Sequence, residues 1–198
     1  MASVRTAAKP LPREAYARDA DVVARRLLGC VIEVRRDGQD AAAHRARIVE
    51  TEAYLGEADL ACHASRGRTR RTESLYGPPG TAYVYLIYGI HRLFNVVASA
   101  AGDPHAVLIR AVEPLNFEAR THGPGLLSDA LGIGLDDDRS DLTTGRIRIV
   151  DGAGPARVAV GPRIGVDFAG AWADAPLRFG DADSDRLSRR FPSHDPTP

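Results

Sequence analysis

Apolar residues recur at helical spacing between Asp19 and Leu28. Ala20, Val23, Ala24, Leu27 and Leu28 fall on one face, Asp19 is placed to cap it, and Gly29 stops it, so the pattern predicts a helix. From Cys30 the period switches to two. Cys30–Arg35 reads as a strand, Asp37-Gly38 as a hairpin turn, and His44–Leu55 as the return strand. A polar, arginine-rich loop follows over residues 56–73 and ends at the breaker Gly77-Pro78-Pro79-Gly80. Thr81–Tyr88 predicts another strand, turning at Gly89, with Phe94–Ser99 returning and Ala106–Val112 beyond it. Leu126–Leu131 reads as a short helix and Asp136–Thr144 as a surface loop. Short strands are expected at Arg146–Val150, Arg157–Val160 and Pro176–Phe179. Many strands, short turns and few helices predict an α+β domain on a mostly antiparallel sheet.

Composition narrows the class. The 198 residues are 44% hydrophobic and 26% charged, within the range of a soluble globular protein. We expect one domain over residues 12–180, a flexible N-terminus over 1–11 and a flexible acidic tail over 181–198. No apolar run reaches the ~20 residues of a membrane span. The first dozen residues lack the apolar stretch of a signal peptide. Two cysteines, Cys30 and Cys62, make no disulfide framework, so a reducing cytoplasm is the default.

The 26 basic residues balance the 26 acidic ones, which argues mildly against a nucleic-acid binder. Their distribution argues for one. Arg66, Arg68, Arg70 and Arg71 crowd into one loop, while acids gather at Asp136–Asp138 and around Asp181, Asp183 and Asp185. Lys9 is the only lysine.

Alternation along His44–Leu55 sends Glu50, Glu52 and Tyr54 to one face. Two carboxylates and a tyrosine on a central strand are either a solvated face with an arginine partner or a general base beside an aromatic platform. Periodicity does not separate Glu50 from Glu52. In Tyr83-Val84-Tyr85-Leu86-Ile87-Tyr88-Gly89 the tyrosines suit a strand, but Tyr88 at a hairpin tip suits insertion into a partner better than a core. The loop Arg66-Gly67-Arg68-Thr69-Arg70-Arg71 would make a phosphate-binding strip. The six histidines show no metal-ligand spacing, and no nucleophile elbow, phosphate loop, dinucleotide fingerprint or zinc deaminase signature is present. No metal or cofactor is expected.

The segment Arg47-Ile-Val-Glu-Thr-Glu-Ala-Tyr-Leu-Gly56 resembles the alkyladenine (3-methyladenine) DNA glycosylase family. The resemblance continues in order through His63–Arg71, Gly77–Gly89, Asn95, Leu108–Pro114, Gly123-Pro124-Gly125, Arg163–Val166, Trp172 and Pro176–Phe179. It implies a curved antiparallel sheet with flanking helices and a protruding hairpin that inserts into DNA. The implied activity is excision of a damaged purine from double-stranded DNA by a monomer. Glu52 then resembles the base that activates water, with Arg110 and the carbonyl of Ile164 holding that water. Tyr54, His63 and Tyr85 resemble the walls around a flipped base, and Asn95 the residue that crowds the exocyclic amine of guanine. Tyr88 and Ile90 resemble the intercalating tip, with Arg66, Arg68, Thr69 and Arg71 as further DNA contacts. Glu50 takes a supporting role, and Cys62 packs beside the pocket.

Glycosylases that also cut the strand commonly use an amine nucleophile. With Lys9 outside the matched region, a monofunctional enzyme leaving an abasic site is expected. Two alternatives are a damaged-DNA-binding module without turnover and a nucleoside hydrolase. Intact Glu52 and Arg110 argue against the first, and Tyr88 with the arginine strip against the second. The family pattern is not complete. Leu126 stands where a lysine is usual, Arg70 where proline is, Thr72 where asparagine is, and Leu75 where methionine is. Near Trp172, Asp174 and Ala175 replace a basic neighbour. Weak nonspecific binding with a shallow salt dependence follows.

Overall fold

The long strand β2 (His44–Leu55) is flanked along its whole length. A computed structural model describes residues 9–36 and 42–192. One edge of β2 pairs with β5 (His105–Pro114). Along the other edge, β1 (Val31–Val34) covers the start and β8 (Arg178–Asp181) the end. The hairpin β3 (Ala82–Ile87) and β4 (His91–Ala98) continues the sheet beyond β5. On the far side β6 (Ile147–Val150) pairs with β1, and β7 (Val158–Gly161) pairs with β8. All these pairings are antiparallel, and the main path runs β3-β4-β5-β2-β1-β6. The α+β expectation holds.

Two register shifts flank Glu50. Ile48 faces Val112, Glu50 faces Ala111 and Thr51 faces Ile109, so Val49 on β2 and Arg110 on β5 are the extra residues. Such bulges bend a strand and re-aim side chains. Here they aim Arg110 at the two glutamates of the neighbouring strand.

Helix α1 (Ala20–Leu27) lays Ala20, Val23, Ala24 and Leu27 on one sheet face, all buried. Val23 and Leu27 each contribute roughly 1.5–3 kcal/mol by leaving water. The hydroxyl of Thr51 donates to the carbonyl of Ala24, tying this helix to β2. Asp19 occupies the N-cap position without a side-chain bond. Helix α2 (Pro124–Leu131) starts two residues earlier than expected, because Pro124 fits the first turn, where no N–H partner is needed. It buries Leu127, Ser128 and Leu131.

Three expectations need correction. The segment 136–144 is more than surface loop: Asp137 is buried against Arg146, and Asp138 accepts from the hydroxyl of Ser74 and the N–H of Val84. The N-terminal residues are held from Pro10 onward. Pro10 bridges to Val150, and Leu11 is buried and donates to Ile149. The acidic tail does not swing loose after Asp181. Residues up to 192 fold back on the sheet, because Arg178 and Glu50 offer buried charge that the tail's polar groups satisfy. The Asp37-Gly38 turn lies outside the described residues.

Candidate active site

A cavity of about 450 Å³ opens between the β3–β4 hairpin, the loop after β2 and the segment around Ile164. Tyr54, at the end of β2, lines it together with His63 from a short 3₁₀ turn (His63–Arg66) and Tyr85 from β3. The His63 and Tyr85 rings meet edge to face at 4.6 Å between centroids. Tyr83, two residues before Tyr85 and so on the same face, tilts against Tyr85 at 5.2 Å and shares a 2.9 Å hydrogen bond with Nδ1 of His63. Burial, with Arg71 and Arg66 adding repulsion, lowers the His63 pKa to about 4, leaving the ring uncharged at neutral pH. Burial raises Tyr85 to about 12.

Below the cavity lies a network of buried charge. Glu52 is fully shielded from solvent, and three groups that line the cavity donate to it. The N–H of Ile164 reaches Oε1 at 2.7 Å, the hydroxyl of Tyr54 reaches Oε2 at 3.0 Å, and Nη1 of Arg110 reaches Oε2 at 3.2 Å. Burial, then the Glu52 charge, holds the Tyr54 hydroxyl well above its usual pKa, so it remains a donor. Glu50, equally buried, binds Nη1 of Arg178 at 3.0 Å and lies 3.3 Å from Nε of Arg110. The solvated-face reading of this strand is therefore set aside: both carboxylates point into the protein, each with an arginine.

A second buried pair braces the site from behind. Asp59 binds both terminal nitrogens of Arg163, at 2.5 and 2.8 Å, and also accepts from the N–H groups of Leu55 and Ala61. Arg163 donates to the carbonyl of Ala53 and lies 4.7 Å from the centre of the Tyr54 ring. It thereby holds Ile164, the next residue, in bonding range of Glu52. The sequence reading did not assign Asp59, Arg163, Arg178 or Tyr83 a place here. Tyr83 carried a signal in its alternation with Tyr85, and Arg163 and Arg178 fall inside segments that match the family, whereas Asp59 carried none.

Asn95 is buried on β4, facing Tyr83 across the hairpin. Its amide nitrogen donates to the carbonyls of Tyr83 and Leu93, so the amide oxygen is the polar atom left over. At the hairpin tip, Tyr88 and Gly89 both take left-handed φ, +53° and +72°. Tyr88 is 86% exposed and Ile90 64% exposed. Tyr88 borders the cavity mouth, as do Leu126 and the exposed Phe168.

The arginine strip is not uniform. Arg66, Arg68, Thr69, Arg70 and Arg71 are all exposed. Arg68 is bound twice to Glu73 and lies over Tyr76. Arg71 lies 5.5 Å from the Tyr85 ring centre, and Thr69 is bonded to Thr72. Cys62 is buried with the cavity's aromatic cluster. Among the described residues no group of three or more His, Cys, Asp or Glu could hold a metal ion, and no helix is long and apolar enough to cross a membrane.

The family model for methylpurine-DNA glycosylases matches residues 14–185. The chain belongs to this family. It is thereby a hydrolase acting on N-glycosyl bonds. A relative from Myxococcus xanthus is 51% identical over 187 residues, spanning 92% of this chain and 95% of the relative. One from Legionella pneumophila (strain Lens) is 47% identical, over 91% and 99% of the two chains. A relative from Methanocella arvoryzae is 44% identical, over 92% and 97%. Each carries the provisional name 3-methyladenine DNA glycosylase. Within this glycosylase the one lysine, Lys9, precedes the Pro10–Val150 bridge on β6 and is not among the residues that line the cavity.

Proposed function

We propose that this protein is a monofunctional DNA glycosylase that flips alkylated or deaminated purines out of the duplex and hydrolyses their glycosidic bond, leaving an abasic site. The observation that carries this reading is Glu52, buried beneath an aromatic cavity and hydrogen-bonded by Arg110, Tyr54 and Ile164. A target carbon inside a duplex is inaccessible, so the nucleotide has to leave the stack at a cost of a few kcal/mol. Tyr88, at the exposed tip, fills the gap, with Ile90 beside it.

The extruded base stacks among Tyr54, His63 and Tyr85. An N-alkylated purine is electron-poor or cationic, and cation–π attraction adds about 0.5–2 kcal/mol. The neutral His63 ring adds no repulsion. The Asn95 side chain, fixed by its bonds to the carbonyls of Tyr83 and Leu93, crowds the exocyclic amine of a normal guanine. Water held by Arg110 and the Ile164 carbonyl attacks C1′ while Glu52 takes its proton. The new bond is C1′–O and the broken bond is C1′–N; on a cationic alkylated purine the electron pair neutralises the charge, whereas a neutral base such as hypoxanthine leaves once a ring nitrogen has taken a proton from solvent. The sole lysine, Lys9, does not line the cavity, which supports hydrolysis over Schiff-base chemistry.

The test compares wild type with Glu52→Gln on duplexes carrying one ethenoadenine or hypoxanthine and on alkylated genomic DNA. Base release by wild type, none by the variant and lesion binding by both are expected. Binding without release by wild type would leave only a damaged-DNA-binding module. A covalent adduct trapped by borohydride would overturn the monofunctional assignment.

A further inference from the structure

The segment 184–192 reaches the carboxylate floor from outside the sheet. The N–H of Ser188 donates to Oε2 of Glu50 at 2.5 Å and its hydroxyl donates to Oε1 at 2.8 Å. The same hydroxyl accepts from Nε of Arg110 at 3.2 Å. Arg178 fastens the segment, donating to the carbonyls of Arg189 and Arg190 and lying 3.8 Å from the centre of the Phe191 ring. The seat is shaped for it: a β-carbon at Gly180 would lie 2.5 Å from that ring.

Glu50 and Glu52 both lie within reach of one guanidinium, that of Arg110. Ser188 settles the competition. It supplies Glu50 with two donors, Arg178 supplies a third, and the Ser188 oxygen occupies Nε of Arg110. Nη1 of Arg110 is then left on Glu52. Without the hydroxyl, Glu50 lacks a donor and Nε of Arg110 lacks an acceptor, and a buried charged group does not tolerate either. Both are satisfied by a small shift of Arg110 toward Glu50, away from Glu52. We propose that Ser188 is a positioning residue for Glu52, acting through Glu50 and Arg110, and that the docked segment 184–192 completes the active site.

This inference rests on the glycosylase reading, and the experiment separates the two. Single-turnover base release and lesion-duplex affinity are measured for wild type, Ser188→Ala, Ser188→Cys and Ser188→Thr on the ethenoadenine and hypoxanthine duplexes. Ser188→Ala is expected to release base about tenfold more slowly while its dissociation constant stays within about twofold, since the hydroxyl is engaged by Glu50 and Arg110 on the charged floor. Ser188→Thr keeps the hydroxyl and recovers the rate. Ser188→Cys, of similar size but a weak donor, falls between, and decides the matter if the alanine variant does not fold. Wild-type release by Ser188→Ala or Ser188→Cys overturns the proposal. So does a loss of rate and affinity together that Ser188→Thr does not rescue, which marks a purely structural role. A wild type that releases no base overturns the glycosylase reading itself.

Discussion

The floor of the cavity and its rim are built on opposite principles. On the floor, Glu50, Glu52, Asp59, Arg110, Arg163 and Arg178 are all buried, and each carboxylate is held by an arginine. At the rim, Tyr88, Ile90 and Phe168 are exposed, and Tyr88 is held in a left-handed conformation. Buried charge is tolerated only when every partner is in place, so the floor is rigid by necessity. Exposed apolar and strained residues persist only where something gains from them. On the proposed reading labour is divided: geometry for the chemistry is fixed in the free protein, whereas the rim reaches its final environment only on DNA.

The comparison breaks most visibly at Glu52. Glu52→Gln is expected to slow base release by about 10²–10⁴-fold, with lesion binding retained. Single-turnover release and gel-shift affinity read the two separately. Next, Asp59→Asn leaves Arg163 buried without its counter-charge and is expected to cost about 3–5 kcal/mol of stability, read in urea denaturation. If the floor is the rigid unit described, release falls in the same variant, since Ile164 follows Arg163.

The rim sharpens the contrast with the opposite sign. Tyr88→Gly removes the proposed wedge and relieves the left-handed strain. Stability should rise by about 1 kcal/mol while lesion affinity falls about tenfold, the loss of one stacking contact. Thermal melting and lesion titration check this, and a stability loss would show that the tip packs on the protein.

Acid should act through His63. Its folded pKa, about 4, lies below the ordinary 6.5, so the unfolded chain binds the extra proton between those values. Stability therefore falls as pH drops from about 6.5 to about 4. His63→Gln should flatten the melting temperature over that window.

The smallest effect concerns salt. With Arg66, Arg70 and Arg71 exposed, nonspecific binding should show a slope of log affinity against log salt near about −3. Arg66→Ala should reduce it by about one unit. Arg68→Ala should leave it nearly unchanged, because Glu73 already holds that guanidinium.

Much of the site was legible along the chain. Alternation placed Glu50, Glu52 and Tyr54 together on β2, and Tyr88-Gly89 marked the hairpin tip, because these depend on residues two apart or on one turn. Choosing Glu52 over Glu50 needed the family resemblance. The bracing pair Asp59–Arg163 was not legible: its members are 104 residues apart, and an aspartate in a polar loop looks the same whether solvated or buried. The docked tail was misread for a related reason. Its acidic, polar composition suggested nothing to bury, yet its hydrogen-bonding groups were what the buried Arg178 and Glu50 required.

The amino-acid sequence by itself determined the strand order along the chain, the two helices, the faces of β2 and the absence of lysine near the matched motifs. Each is a local property, set by side-chain period, turn chemistry or residue type. Tertiary structure alone decided which carboxylate receives which arginine. The paired bulges at Val49 and Arg110 and the return of Ser188 bring charges from β2, β5, β8 and the C-terminal segment to within hydrogen-bonding range. Burial then makes each partner obligatory, and that requirement exists only once water has been removed.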